Sequence, residues 1–157
     1  MPWWWVVPAL LLAVAIVAVL IWCPWRARAE VRRLRRACKL FHLQREHLEA
    51  QFLPAAAATG KPRGLRWKDC EWESDVVFAR DRQTGMLVAL VGITVRFEAV
   101  EGNDMEDLPA VGNLRNASAV FYYQQGRWRT GGKVVFNLNP DEAVARFKNQ
   151  YEPVDQP

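Results

Sequence analysis

Four carboxylates within seven residues of one predicted loop could bind a cation. They are Glu101, Asp104, Glu106 and Asp107. A calcium loop of the EF-hand type needs oxygen ligands at positions one, three and five and a Glu at position twelve, and this spacing does not provide them. We therefore expect a solvated acidic loop without a metal. The alternative is a docking patch for a basic partner or for the chain's own arginines.

The cysteine and histidine residues do not suggest a catalytic pair. Cys70 lies between Asp69 and Glu71, and neighbouring acids raise the pKa of a thiol, which argues against a nucleophile. His42 and His47 are five residues apart on one predicted helix, whereas a metal pair on a helical face requires a spacing of three or four. We predict no catalytic residue, no metal site and no cofactor, and a core position for Cys70.

An aromatic cluster is the feature best suited to binding. The segment Phe121–Tyr123 places rings on both faces of one predicted strand, whereas a half-exposed antiparallel sheet normally has one polar face. Either additional core covers both faces, or a curved sheet has an aromatic hollow for a ligand or a partner. The predicted groove residues are Trp67, Trp72, Phe121, Tyr122 and Trp128.

These aromatic residues lie in a region with the alternating pattern of strands. Asp81–Gly85 and Gln125-Gly126 are predicted hairpin turns, because Asp begins turns and Gly adopts positive φ. Asn139 followed by Pro140 predicts the start of a short helix. The predicted strands are Leu65–Glu73, Asp75–Arg80, Met86–Val100, Asn116–Gln125 and Trp128–Leu138.

A long helix is predicted before the sheet. Residues 25–53 contain no Gly and no Pro, and good helix formers dominate the segment. Their apolar stripe broadens after residue 39, which favours packing on the chain's own sheet. The alternative is a weak homo-oligomer through this helix, although Arg45 interrupts the heptad pattern that a coiled coil requires.

The first part of the chain is almost wholly apolar. Trp3–Cys23 carries no charge, and a helix of that length would measure about 32 Å, close to the thickness of a bilayer core. Tryptophans near both ends suit the headgroup level. A cleaved signal peptide is the competing interpretation, but positive charge follows the apolar segment rather than preceding it. We therefore expect a retained transmembrane helix.

The charge distribution predicts the orientation. Between Arg26 and Lys39 there are seven basic residues and one acid, so the positive-inside rule places the domain in the cytoplasm and the amino terminus outside. Residues 1–53 carry a net charge of +5 (8 basic, 3 acidic) and residues 54–157 carry −1 (13 basic, 14 acidic). We therefore expect lipid contact and no nucleic-acid partner. The predicted membrane-surface residues are Arg26, Arg28, Arg32, Arg33, Arg35 and Arg36.

The predicted class is α+β: an N-terminal transmembrane helix continues into a long helix that packs on a four- to five-stranded antiparallel meander, followed by a short helix. This element order is similar to that of cystatin-type and NTF2-type folds, although no motif supports either family. The predicted segments are a transmembrane anchor (1–24), a basic stalk and packing helix (25–53), a linker (54–64), a sheet domain (65–150) and a flexible tail (151–157).

The expected function is that of a membrane-anchored, non-catalytic protein-interaction or scaffolding module with a partner at the cytoplasmic face. The alternative is a binder of a small apolar ligand or lipid in an aromatic hollow of the sheet. An enzyme with an acidic residue in such a hollow ranks last, because the sequence does not identify a polar residue deep in a pocket.

Overall fold

The computed structural model describes Trp4 and residues 6–59, 62–102 and 112–155, with the backbone alone for a few residues of the first helix. The chain forms two compact units that divide after Arg36. Three of the four acids in the predicted acidic loop, Asp104, Glu106 and Asp107, lie outside the described residues.

The fold is α+β with one antiparallel sheet, as predicted, and the sheet has five strands. The strands predicted separately at 65–73 and 75–80 form one strand, and the fifth strand lies in the segment predicted as a flexible tail. The strands of the sheet occur in the order β4-β3-β2-β1-β5, so every strand from β1 to β4 pairs with its neighbour in sequence. The elements are α1 (Val6–Ala58), β1 (Leu65–Asp81), β2 (Leu87–Ala99), β3 (Arg115–Gln124), β4 (Arg127–Phe136), α2 (Pro140–Arg146) and β5 (Tyr151–Pro153).

Within the part of the chain that the structure describes, no helix is both long enough and apolar enough to cross a membrane. The transmembrane part of the predicted fold is therefore not supported by these residues.

The helix α1 extends past the predicted boundary at Leu53 and through Pro54 to Ala58. Proline inside a helix removes one backbone hydrogen bond, but the four alanines that follow are the strongest helix formers. Ala56 is also completely buried, which stabilises the last turn. The segment predicted as a linker from residue 54 is therefore helical in its first part.

Within the second unit, α1 contributes an apolar stripe to one face of the sheet. Phe41, Leu48, Phe52 and Ala56 are all buried, and their spacing of seven, four and four places them on one side of the helix. We refer to the side of the sheet that they contact as the α1 face.

The opposite side of the sheet, the α2 face, is covered by the short helix. Its buried cluster consists of Ala79, Val88, Leu90, Val120, Ala143, Val144 and Tyr151. Asn139 caps α2 as predicted: its side chain accepts from the Glu142 backbone N–H, and the Glu142 side chain accepts from the Asn139 backbone.

The segment predicted as a flexible tail begins with a short strand. Tyr151–Pro153 pairs with the end of β1, and the side chain of Tyr151 is buried. Burial of this ring against α2 and the sheet stabilises the segment as a strand. The sequence pattern did not predict this burial.

Both predicted hairpin turns are present. The Asp81 carboxylate accepts hydrogen bonds from the backbone N–H groups of Gln83 (2.8 Å) and Thr84 (3.0 Å), and Gly85 has a φ of 70°. Gln125 and Gly126 have φ values of 52° and 78°, which are typical of a two-residue type I′ turn.

An irregularity in β1 lies opposite Gly92. The pairing shifts between Trp72 and Val76, whereas β2 continues without interruption through Gly92. A Cβ at residue 92 would overlap the side chain of Glu73. Gly92 therefore makes room for the irregular segment of the neighbouring strand.

Arg45 connects α1 to this irregular segment. Its guanidinium donates to the backbone carbonyls of Glu73 and Ser74 and forms an ion pair of 2.6 Å with Glu49. The residue that interrupted the heptad pattern therefore satisfies carbonyls that the shifted pairing leaves available.

We predict that Gly132→Ala destabilises the domain by about 2–4 kcal/mol, since an L residue is strained at this positive φ and overpacking adds a further cost. Gly132 has a φ of 70°, and a Cβ there would overlap the backbone of Ala55 and Ala56. The control is Gly131→Ala, because a Cβ at residue 131 meets no atom within 4 Å. Urea unfolding measures the free energy of unfolding of both variants. Equal stability of the two variants would contradict the close approach of Gly132 to the backbone of α1.

We predict that the hydrogen-bonded turn at Asp81 makes stability pH-dependent. Burial alone would raise the pKa of this carboxyl, but the N–H groups of Thr84 and Gln83 outweigh it and hold the pKa below its usual value of 3.8. The unfolded chain therefore binds the proton more readily, and the stabilisation is lost as pH falls from about 4 through the folded-state pKa.

Asp81→Asn retains the acceptor and removes the charge, so we expect it to lower the Tm by about 3 °C at pH 7. The difference in Tm between the variant and the wild-type chain should be smaller at pH 3 than at pH 7. Asp155→Asn, an exposed carboxyl outside the turn, is the control. A difference for Asp81→Asn that is independent of pH would contradict this assignment.

Candidate functional site

Four of the five predicted groove residues lie on the α1 face of the sheet. Phe121 and Trp128 are buried, and Trp67 and Trp72 are half-buried. Trp67 and Trp72 of β1 and Phe121 of β3 pair with residues of β2 that are separated by even numbers of positions, so their side chains point to the same face. The structure thus brings these four rings to the same side of the sheet.

The helix α1 supplies the rings that fill the space between them. The Phe52 ring centroid lies 5.3 Å from that of Trp72, 6.4 Å from that of Trp67 and 5.7 Å from that of Phe121. The Phe41 ring lies 5.0 Å from that of Trp128. These edge-to-face and tilted contacts are typical of an aromatic core.

Tyr122, the fifth residue of the predicted groove, lies on the α2 face. Successive residues of a strand point to opposite faces, so the neighbour of Phe121 must lie on the other side. Tyr122 packs beside the α2 cluster, and its partial burial raises the pKa of its hydroxyl. The predicted set is therefore divided between two faces.

Trp128 also makes a polar contact with α1. Its indole N–H donates to the Ala37 carbonyl at 2.8 Å in a buried position. The bond satisfies the one polar atom of a buried ring and fixes β4 against the helix.

The six predicted membrane-surface arginines belong to the first unit and are all exposed. The guanidinium of Arg26 lies over the Trp22 ring, 5.4 Å from its centroid. Such cation–π contacts occur where aromatic and basic residues meet at an interface.

One concavity of the domain was not predicted from the sequence. It has a volume of about 620 Å³ and lies between the second half of β4 and the end of α2. We call it the β4–α2 pocket; its lining includes Lys133, Val135, Leu138, Arg146, Phe147 and Tyr151.

Lys133 is held in place at this pocket. Its ammonium donates to the Tyr151 hydroxyl at 3.0 Å and lies 5.6 Å from the centroid of the same ring. Burial lowers the pKa of Lys133, but the hydrogen bond and the neighbouring Tyr151 and Tyr122 hydroxyls outweigh it, and the pKa is raised. The pocket therefore contains a cation at neutral pH.

A second concavity flanks the first half of β4 on the α1 face. It has a volume of about 460 Å³, and its walls are Gln44, His47, Leu48 and Gln51 of α1 and residues 127–130 of β4. We call it the β4–α1 pocket. A smaller concavity of about 250 Å³ lies beside Trp67 and Val100.

The two pockets beside β4 share a charge pattern. Lys133 and Arg146 line the first pocket and Arg127 and Arg129 line the second, and no Asp or Glu is among the described residues that line either one. Because Arg127 and Arg129 alternate with Trp128, their side chains point to the α2 face, the side on which Lys133 contacts Tyr151. The four cations are exposed. Opposite charge on a ligand would therefore be favoured along β4 on the α2 side.

Sequence reasoning missed these pockets because they depend on which strand lies at the edge. Arg127, Arg129 and Lys133 lie in the last long predicted strand, but the sequence does not reveal that this strand forms a sheet edge. The one available signal was the absence of acids between Arg127 and Asn139.

The described residues contain no group of three or more His, Cys, Asp or Glu side chains that could hold a metal ion. Cys38 and Cys70 are free thiols. Burial, followed by the negative charge of Glu49, raises the pKa of the Cys70 thiol to about 11. Neighbouring acids in sequence were the predicted cause, whereas the structure assigns the shift to burial and to a residue of α1.

No known protein family, curated protein or solved structure matches this chain.

We predict that Cys70 reacts slowly with iodoacetamide at pH 8. A pKa of about 11 rather than 9.0 reduces the thiolate fraction about a hundredfold, and the thiolate is the reactive form. Site-resolved mass spectrometry of the folded chain measures the rate, and the same chain unfolded in urea is the control. Equal rates in the two states would contradict the effect of the half-buried position on the thiol.

Proposed function

We propose that this chain is a single-pass membrane-anchored protein whose α+β domain is a non-catalytic protein-interaction module in the cytoplasm. The observation that carries the anchor is the exposed apolar surface of the first unit. Leu10, Leu11 and Leu12 are each about two-thirds exposed, at 66%, 65% and 64%. Contiguous apolar surface of this kind marks a membrane or protein interaction site.

A lipid environment accounts for this surface better than water. The sequence from Trp3 to Cys23 is uncharged, and the six exposed arginines follow it directly. Anionic headgroups attract such a basic segment by about 1 kcal/mol for each Lys or Arg. The same charge asymmetry supports the orientation with the domain in the cytoplasm.

The alternative occupant of the exposed helix is a second copy of the chain. A dimer would cover part of the apolar surface, but it leaves the clustered arginines of the two helices close together, and like charges repel. Nucleic acid is a weaker candidate for these arginines, because the domain that follows carries a net charge of −1 in the sequence (13 basic, 14 acidic).

The state of the Cys70 thiol and the packing of the aromatic residues support an interaction module. The thiol of Cys70 is held in its protonated form, and the predicted aromatic groove residues on the α1 face pack against Phe41 and Phe52. A ligand in an aromatic hollow would have to displace these rings, so this alternative has less support. The accessible features are instead the β4 edge and its two pockets.

We expect the full chain to remain in the membrane pellet after alkaline carbonate extraction. Val14→Arg combined with Ile16→Arg should release it, since each arginine at the centre of a spanning helix costs about 2.5–3.5 kcal/mol. Val14→Leu combined with Ile16→Leu is the matched control and should stay in the pellet. Release of the wild-type chain would refute the anchor.

We expect a reporter fused after residue 157 to be active in the cytoplasm. The cause is the excess of basic residues between Arg26 and Lys39. Replacing the six arginines with Gln should weaken this preference, so a mixed orientation is the expected result for that variant. A reporter active only on the outer side in the wild-type chain would overturn the orientation and leave the anchor itself unaffected.

A further inference from the structure

We infer that the free edge of β4 binds an extended, acidic peptide segment of a partner protein, which adds to the sheet as a further strand. The inference rests on the proposed function in taking the domain to be an interaction module. It is independent of the membrane anchor.

The first step is the open edge. In the sheet order, β4 is a terminal strand and pairs with β3 alone among the described strands. At the opposite end, β5 covers the last residues of β1. An uncovered edge presents unpaired N–H and C=O groups that another extended chain can pair with.

The register indicates which backbone groups are available. Gln124 and Arg127 flank the two-residue turn, so they form the first hydrogen-bonded pair of the hairpin. Because the pattern alternates, the N–H and C=O groups of Trp128 and Thr130 point away from β3. Beyond them the pairing shifts around Gly131–Lys133, which divides the edge into two short segments.

Each segment of the edge has a pocket beside it. The β4–α1 pocket flanks residues 127–130, and the β4–α2 pocket flanks residues 133–136 and extends to Leu138. Side chains of an added strand point alternately to the two faces. A segment of about nine residues would therefore reach both pockets, at about 3.3 Å for each residue.

Charge complementarity specifies the occupant. Four exposed cations lie along this edge, and no acid is among the described residues that line the two pockets. They are Lys133 and Arg146 at the β4–α2 pocket, and Arg127 and Arg129, whose side chains alternate with Trp128 and therefore also point to the α2 side. The β4–α2 pocket also has apolar walls, including Val135 and Phe147. The segment that fits is therefore extended, rich in Asp or Glu, and carries an apolar side chain for this pocket.

Basic residues on an edge strand also have a protective role, since they discourage strands from pairing between copies. That role predicts repulsion between two β4 edges and does not predict that an acidic segment pairs with the backbone of β4. The two roles therefore give different results with an acidic peptide.

The test uses the full chain in non-ionic detergent micelles and a fluorescein-labelled nonapeptide of alternating Glu and Val. Fluorescence anisotropy measures the Kd at low and at high salt. We expect binding that weakens with salt, because exposed charges are screened. A nonapeptide of alternating Lys and Val is the control and should not bind. No binding of the acidic peptide, or equal binding of both peptides, would overturn the inference.

The charge variant is Arg129→Gln with Lys133→Gln, and we expect it to raise the Kd at least about tenfold. The matched control is Arg66→Gln with Lys68→Gln, which removes the same charge from β1 and should leave the Kd within about twofold. An equal loss in both variants would show nonspecific attraction and overturn the site. If the first variant fails to fold, Arg146→Gln alone replaces it.

The backbone variant is Thr130→Pro, which removes an outward N–H from an edge position where proline is tolerated. We expect it to weaken binding of the peptide, while thermal unfolding of the variant remains cooperative. Hydrogen exchange of the wild-type complex should slow at the outward amides of Trp128 and Thr130. Protection confined to another strand, or self-association of the free chain through β4, would overturn the inference. Carbonate extraction of the same variants reports the anchor separately.

Discussion

The packing of one apolar stripe of α1 against the sheet is the contact on which the rest of the domain depends. Phe41 contacts rings from β1, β3 and β4, and Phe52 contacts rings from β1 and β3; both contact Phe121 of β3. Truncating one such ring costs about 3–5 kcal/mol, whereas a whole domain is stable by about 5–15 kcal/mol. The loss of either ring would therefore remove a large share of the stability. Gly132 permits this packing, because a side chain there would overlap the helix backbone.

The same packing determines which surfaces remain for binding. With α1 on one face and α2 on the other, the predicted aromatic groove residues become largely core, and the sheet is open mainly at its edges. The charge of the domain is also uneven: Arg127, Arg129 and Lys133 lie along β4, although residues 54–157 carry a net charge of −1. The β4 edge is thus the surface that we propose for acidic, extended chains.

Local features of the sequence were readable because they depend on neighbours in the chain. The Asp81 turn, the Gln125-Gly126 turn and the Asn139 cap each rest on residue types that determine the backbone within four positions. Features that depend on distant residues were missed. The helix continues through Pro54 because Ala56 is buried, and Tyr151 forms a strand because its ring packs under α2. The division of Phe121 and Tyr122 between two faces followed from strand alternation, but what covered each face did not.

The sequence by itself determined the α+β class, the antiparallel hairpins, the long helix and the uneven distribution of charge. These properties follow from hydrophobic period, turn chemistry and composition, which are local or additive. Only the tertiary structure decided that Phe41 and Phe52 fill the aromatic cluster, that Arg45 binds the irregular segment of β1, and that β4 is an open edge of the sheet. The physical reason is that burial and edge position depend on which elements meet, and residues far apart in the chain determine that together.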